Sequence, residues 1–259
     1  MAAEQPRRVV SINLCTDQLA LLLADEGQLI SVSKLAHDPQ SSALFEAARA
    51  LPGNGSRAEE VYLLEPDLVL AGTFTDASTV QMLRSLGIRV EIFAPARSLA
   101  EIAERMRQMG AALGRETRAE AQVAAFEAEL AALTVAMRPR PRAALYYVNS
   151  YTAGDRSLAS DILKIAGFDN VASELGLDWG GVLPLETLVM LAPDVIIQGR
   201  DYPGQARAED TLHHPALASL RGTLQAGELT DRDWICGTPQ VLSAIRDMRD
   251  LRLSMEDLQ

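Results

Sequence analysis

The feature that most constrains this chain is a segment present twice. EEVYLLEPDLVLAG at residues 59–72 aligns without a gap with ETLVMLAPDVIIQG at residues 186–199, at a constant offset of 127. Glu, Leu, Pro, Asp and Gly are identical between the copies, and apolar residues face apolar ones at most other positions. Each copy reads as a helix stopped by Pro, a tight turn at Asp and a buried parallel strand. One helix–Pro-Asp–strand connection is common in α/β proteins. Two in register predict a chain built from two related lobes.

The stretch between the copies says how the lobes are joined. From Glu116 to Met137 there is neither Gly nor Pro, and Val123, Phe126, Leu130, Leu133 and Met137 recur at the spacing of one helical face. About 22 residues at ~1.5 Å each predict a rod of roughly 33 Å, ended by Pro139 and Pro141. On either side strands and helices alternate. Before the rod, strands are expected at Val9–Asn13, Leu29–Ser33, Leu68–Ala71 and Val90–Phe93. Thr16 is read as an N-cap, and Ser98 with Glu101 as a capping box. After it, strands are expected at Ala143–Val148, Val195–Gln198 and Trp234–Cys236, and a helix near Leu158–Ala166. The fold class is α/β: two lobes with mainly parallel sheets joined by a single long helix. The expected divisions are residues 1–114, 115–138 and 139–259.

Composition removes several classes of function. The net charge of −11 argues against general affinity for nucleic acid or anionic lipid. Of 24 basic residues only Lys34 and Lys164 are lysines, which reads as genome composition rather than an arginine-based site. No apolar run reaches the roughly 18–20 residues of a membrane span. No apolar signal-peptide core follows Met1, so the start suits either a cytoplasmic protein or a mature exported one carrying an initiator Met. Cys15 and Cys236 lack metal-type spacing. Unpaired thiols are expected, with a disulfide the alternative in an oxidising compartment.

The two repeats, the middle helix and the opening RVVSIN at residues 8–13 together resemble the cobalamin- and siderophore-binding family of periplasmic receptors. LRSLGIRV at 83–90 and LKIAGFDNV at 163–171 extend the likeness from about Arg8 to Leu251. The resemblance implies a substrate-binding protein of an ABC importer, free in the periplasm and monomeric. It would hold a metal chelate (cobalamin, a ferric siderophore or haem) in a cleft between its lobes, with small lobe movements and no resident cofactor. It also implies that Glu59 and Glu186, seven residues before each Pro-Asp, dock onto arginines of the membrane permease. Two exposed carboxylates suit two guanidinium forks, although either could be an ordinary solvated residue of a first helical turn. Glu60 competes with Glu59 for the role.

Ligands of α/β sheets bind beyond the carboxyl ends of the strands. That rule nominates Asn13–Asp17, Lys34–Asp38, Thr73–Asp76 and Pro95–Ser98 in the first lobe. In the second it nominates Asn149–Thr152, Asp178–Gly181, Arg200–Tyr202 and Gly237–Thr238. Within them Asn13, His37, Phe74, Tyr151, Trp179, Arg200 and Tyr202 are the ligand-binding candidates. Trp179 leads, because a flat indole beside Gly180 and Gly181 can lie on a corrin or catechol face. Arg200 could pair with a carboxylate or phosphate. His37 could contact a chelated metal, against the plainer reading of a loop histidine with local hydrogen bonds. His213 and His214 are adjacent and point apart, so no direct metal site is expected.

An enzyme is the main rival, and a cytoplasmic sensor on the same two-lobed plan the second. No G-x-S-x-G, P-loop or G-x-G-x-x-G stands in the required strand–helix context. Cys15 ahead of a helix could act as a nucleophile, but local sequence gives it no histidine. No catalytic residue is assigned.

Overall fold

The apolar runs VVS at 9–11, LVLA at 68–71 and VII at 195–197 form inner strands and are buried, as a parallel sheet requires. A computed structural model describes residues 5–134, 138–199, 215, 217, 225–229 and 231–256. It divides into two units. The first comprises Met1–Ala96, Ala100–Ala128 and Ile235–Gln240, and the second Arg97–Leu99, Glu129–Trp234 and Val241–Gln259. This division is less simple than cuts at residues 114 and 138, because Ile235–Gln240 returns to the first unit.

The first unit contains β1 (Val9–Ser11), α1 (Leu14–Leu23), β2 (Leu29–Ser33), α2 (Phe45–Ala48), β3 (Gly53–Asn54), α3 (Ala58–Tyr62), β4 (Leu68–Gly72), α4 (Ala77–Ser85) and β5 (Val90–Phe93). Its five strands run parallel in the order β3-β2-β1-β4-β5, with Val10 paired to Val69 and Leu70 to Glu91. The strand order reverses beside β1 and β4, and that is where ligands of such sheets enter. Every residue of β4 is buried. Val10, Ile12, Val69 and Ala71 pack there against Val61 of α3 and Leu83 of α4. Burying each valine or leucine contributes ~1.5–3 kcal/mol relative to exposure.

Two helices follow, α5 (Leu99–Leu113) and α6 (Glu116–Leu133), and the boundary between units falls inside α6. Ala119, Val123 and Phe126 form the buried face of α6. Gly110 leaves room for Ala119, so α5 and α6 approach closely. The helix is shorter than the rod expected from sequence. It ends at Leu133, where the Thr134 hydroxyl donates to the Leu130 carbonyl at 2.8 Å and competes for the last turn. Met137 lies outside the described residues.

The second unit holds β6 (Arg142–Tyr146), β7 (Tyr151–Ala153), α7 (Leu158–Ala166), β8 (Asp169–Asn170), β9 (Gly180–Val182), α8 (Leu185–Leu191), β10 (Val195–Gly199) and β11 (Gln225–Leu229). A four-stranded parallel sheet has the order β11-β10-β6-β8, and β7 and β9 form a separate two-stranded antiparallel sheet. Ser157 caps α7 by accepting from Ser160 N–H, and Gly167 ends it in the left-handed conformation at φ 93°. Ala144, Tyr146 and Ile196 pack against Leu183 and Leu188.

Three local expectations are corrected. Asn13, not Thr16, caps α1, because β1 stops at Ser11 and leaves Asn13 in extended backbone. Thr16 instead sits in the first turn, its hydroxyl bonded to the Asn13 carbonyl at 2.9 Å and to the Ser11 hydroxyl at 2.8 Å. Trp234 closes a helical turn, Asp231–Trp234, rather than opening a strand. Cys15 and Cys236 are joined in a disulfide with their Cα atoms 5.0 Å apart. That bond excludes Cys15 as a free nucleophile and explains why Ile235–Gln240 belongs to the first unit.

Candidate functional site

In the first unit the site grows from the ends of β1, β2 and β4. Asn13 leaves β1 and turns its Oδ1 back to accept from the amides of Cys15 (3.1 Å) and Thr16 (3.4 Å), which satisfies the start of α1. A Cβ on Gly72 would stand 2.9 Å from Asn13 Nδ2, so glycine at the end of β4 lets Asn13 lie across the neighbouring strand. An open hollow of about 440 Å³ is lined by Asn13, Ser33, Lys34, Asn54, Phe74 and Asp76. A second, tighter one of about 70 Å³ lies beside the disulfide, with Cys15, Phe93, Arg105 and Gly237 in its wall, and again Asn13 and Phe74. Asn13 and Phe74 thus line both hollows.

Phe74 is 84% exposed on the loop from β4 to α4. Asp76 ends that loop and caps α4, accepting from Thr79 N–H at 2.8 Å, and its hydrogen bonds with Ser78 and Thr79 hold its carboxyl below the usual range. Under the hollow, Asp17 is fully buried and accepts from Ser33 N–H (3.1 Å) and the Ser33 hydroxyl (2.5 Å). Burial pushes its carboxyl up to about 6 against those hydrogen bonds. In the sequence this group looks like any acidic residue of a first helical turn, and nothing local marks it as buried.

His37 ends a 3-10 turn, Lys34–His37, and its Nε2 donates to the carbonyls of Ala48 and Leu51, both at 3.0 Å. Gly53 lies along the Cε1–Nδ1 edge of the ring, where a Cβ would stand 3.0 Å from Cε1. The ring ties α2 and the segment just before β3 to the turn.

In the second unit Tyr151 opens β7, and Trp179 immediately precedes its antiparallel partner β9. Gly180 adopts φ 119°, and a Cβ there would meet the Tyr151 hydroxyl at 2.6 Å, so only glycine fits beneath the phenol. Trp179 is more than half exposed. The guanidinium of Arg97 lies 5.3 Å and that of Arg156 5.0 Å from its ring centroid. Neither arginine stands out in the sequence, although Arg97 falls in a nominated loop. Trp234, by contrast, is buried. Arg200, Tyr202, His213 and His214 lie outside the described residues. Among the described residues no group of three or more His, Cys, Asp or Glu is placed to hold a metal ion, and no helix is long and apolar enough to cross a membrane.

Glu59 and Glu186 are both exposed in the first turns of α3 and α8. Their competitor Glu60 is occupied: its Oε2 accepts from Gly55 N–H at 2.8 Å and closes the loop before α3.

Known proteins are similar to this chain in sequence and in fold. A cobalamin-binding protein of Halobacterium salinarum is 30% identical over 201 residues, which is 75% of this chain and 54% of that protein. The chain thus spans about half the length of the first curated relatives it matches. A periplasmic haem-binding protein from Roseiflexus sp. RS-1, in apo form, matches with a TM-score of 0.76 at 22% identity, covering 95% of this chain and 98% of that one. The periplasmic vitamin B12-binding protein of Vibrio cholerae matches with a TM-score of 0.70 at 18% identity, covering 97% and 98%. Residues 9–225 match the family model described as periplasmic binding protein, and the chain belongs to that family.

Proposed function

We propose that this chain is the substrate-binding component of an ABC importer that captures a metal chelate and delivers it to the membrane permease. A corrinoid is the first choice of chelate, ahead of a ferric siderophore or haem. The observation that carries this reading is the 30% identity to a cobalamin-binding protein over three quarters of the chain. The loops beyond the strands supply the contacts: Asn13 and Phe74 from the first unit, Tyr151 and Trp179 from the second, with Arg200 and Tyr202 as further candidates. His37 is a further candidate, its Nε2 held by the carbonyls of Ala48 and Leu51. Glu59 and Glu186 dock onto the permease. The protein works as a monomer in the periplasm, and the Cys15–Cys236 disulfide supports an oxidising compartment over the cytoplasm of a sensor.

The test is titration with cyanocobalamin, haemin and a ferric hydroxamate while following Trp179 fluorescence and the chelate's visible band after gel filtration. The expected result is a retained band and quenched emission with one of the three, without turnover. Trp179→Ala weakens binding roughly five- to 150-fold, the worth of one stacked ring. Buried Trp234→Phe leaves the ligand signal in place. Retention of none of the three chelates overturns the reading.

A further inference from the structure

The exposed face that carries each docking glutamate also carries two large apolar side chains. In the first unit these are Tyr62, 49% exposed, and Leu63, 79% exposed; in the second they are Val189, 40%, and Met190, 84%. Tyr62 and Val189 occupy the same position of the repeat, as do Leu63 and Met190. Both stand three and four residues after the glutamate, which is the spacing of one helical face. Leu63 follows the last residue of α3 with helical backbone, φ −65° and ψ −17°, so the spacing holds there too.

Neither pair supplies the fully buried anchor of its helix. That work is done by Val61 and Leu188, which are fully buried at matching positions. From residue 59 to 71 and from 186 to 198 the two copies are exposed, half-buried or buried at the same places throughout. The copies changed Tyr to Val and Leu to Met, yet both present apolar surface to solvent beside a carboxylate.

Resting on the docking assigned above to Glu59 and Glu186, we infer that Tyr62 with Leu63 and Val189 with Met190 are the apolar part of the permease contact, each pair seated on apolar permease surface beside a basic side chain. The chemistry selects this occupant. An anionic bilayer surface repels carboxylates on a chain of net charge −11. A second copy meeting face to face sets glutamate against glutamate. A basic side chain ringed by apolar surface satisfies both parts, because apolar neighbours that exclude water strengthen an ion pair that is weak when solvated. The duplication calls for a partner that offers such ground twice.

The test uses the importer's permease–ATPase complex in lipid nanodiscs and the full chain in three forms: unaltered, Leu63→Gln with Met190→Gln, and Glu59→Gln with Glu186→Gln. All these side chains are exposed, so folding is not at issue, and chelate affinity in solution is expected to be unchanged. The apolar double variant should bind the complex about tenfold or more weakly at both low and high salt, and the acidic double variant mainly at low salt. Unaltered affinity of the apolar variant beside a weakened acidic variant overturns this inference and leaves glutamate docking standing. If neither variant is weakened, the docking assignment itself falls. A dimer of the unaltered chain that the apolar variant loses in sedimentation, with importer affinity kept, assigns the face to a second copy and also overturns the inference.

Discussion

In the first unit the turn before β4 is held by Arg8, whose guanidinium donates to the carbonyls of Leu64 (2.6 Å) and Glu65 (3.0 Å). Asp67 completes the clamp by accepting from the amides of Arg7 (2.7 Å) and Arg8 (3.0 Å). In the second unit Arg142 donates to the carbonyls of Leu191 (2.7 Å) and Ala192 (3.1 Å), and Asp194 accepts from Arg142 N–H at 2.7 Å. Glu65 and Ala192, both non-glycine, take the same left-handed backbone at φ 48° and 42°. The duplicated proline therefore ends a helix in a turn whose loose carbonyls need an outside donor, and each unit supplies an arginine from the start of its central strand. The connections beyond the strands are not duplicated. The first unit continues β1 into the capping Asn13 and a disulfide-tied helix. The second continues β6 into a turn, where the Tyr146 hydroxyl meets that of Ser150 at 2.9 Å, and then into β7, which pairs with the strand that follows Trp179. The scaffold is common to the units, and the chemistry offered to a ligand is particular to each.

The largest way to break this contrast is to remove the tie found in the first unit. Replacing Cys15 and Cys236 together by Ser releases Ile235–Gln240 from α1 and frees a link between residues 221 apart in sequence. The expected cost is about 2–5 kcal/mol, read as a fall in melting temperature that a reductant reproduces in the unaltered protein. A variant that melts like the parent would show that the segment is held by packing alone.

A second test concerns the buried carboxylate beneath the first unit's hollow. Folded Asp17 keeps its proton up to about pH 6, whereas the unfolded chain releases it from 3.8 upward. Folding therefore takes up a proton between these values. Stability from this group is full below the lower value and is lost as pH rises through the upper one, by roughly 3 kcal/mol in all. Asp17→Asn removes the titration. The stability difference between the two proteins should change over this window and be flat outside it, as denaturant unfolding at a series of pH values would record. A constant difference from pH 4 to 7 would refute the assignment.

The same division separates what the sequence makes legible from what it does not. The strands of the repeat were legible because Leu68–Ala71 and Val195–Gln198 are unbroken apolar runs beside a Pro-Asp pair, which is local information. Strands β3 and β8 have two residues each and owe their existence to Asn54 and Asn170. Asn54 donates to the Ser11 carbonyl and the Ser31 hydroxyl, and Asn170 to the Ala153 carbonyl, contacts no local pattern encodes. Trp234–Cys236 has the apolar content of a strand, but the disulfide and tertiary packing decide its form. At the site, exposure of Trp179 was foreseeable from its glycines. The placing of Arg97 beside it depends on residues far apart in sequence.

Smaller in effect is a test of the clamps. Arg8→Met and Arg142→Met each leave two carbonyls without a guanidinium, and water can reach those of the first unit, where the bonds are exposed. The expected losses are about 1 kcal/mol for Arg8 and somewhat more for Arg142, whose bond to Leu191 is partly buried. Arg142 also holds Glu174 through two bonds of 2.8 Å, which lowers that carboxyl. Glu174→Gln with Arg142 retained separates this pair from the clamp. A larger loss from Arg8 would mean that the turns are alike in form but not in what sustains them.

The smallest effect bears on the turn itself. A side chain at φ near 45° crowds its own carbonyl, at a cost of about 1–2 kcal/mol that glycine avoids. Glycine in turn gives the unfolded chain more freedom, which returns part of that gain. Glu65→Gly and Ala192→Gly should therefore each stabilise the protein by about 0.5–1 kcal/mol, measured by denaturant midpoints at an unchanged slope. Neither side chain is needed for packing, since both are exposed. Equal gains would establish that the same strain is carried twice. A gain at residue 192 alone would point to a second function for Glu65, two residues beyond Leu63 on the exposed face inferred to meet the permease. Loss of importer affinity by Glu65→Gly, with Ala192→Gly unaffected, would then place that carboxylate in the contact.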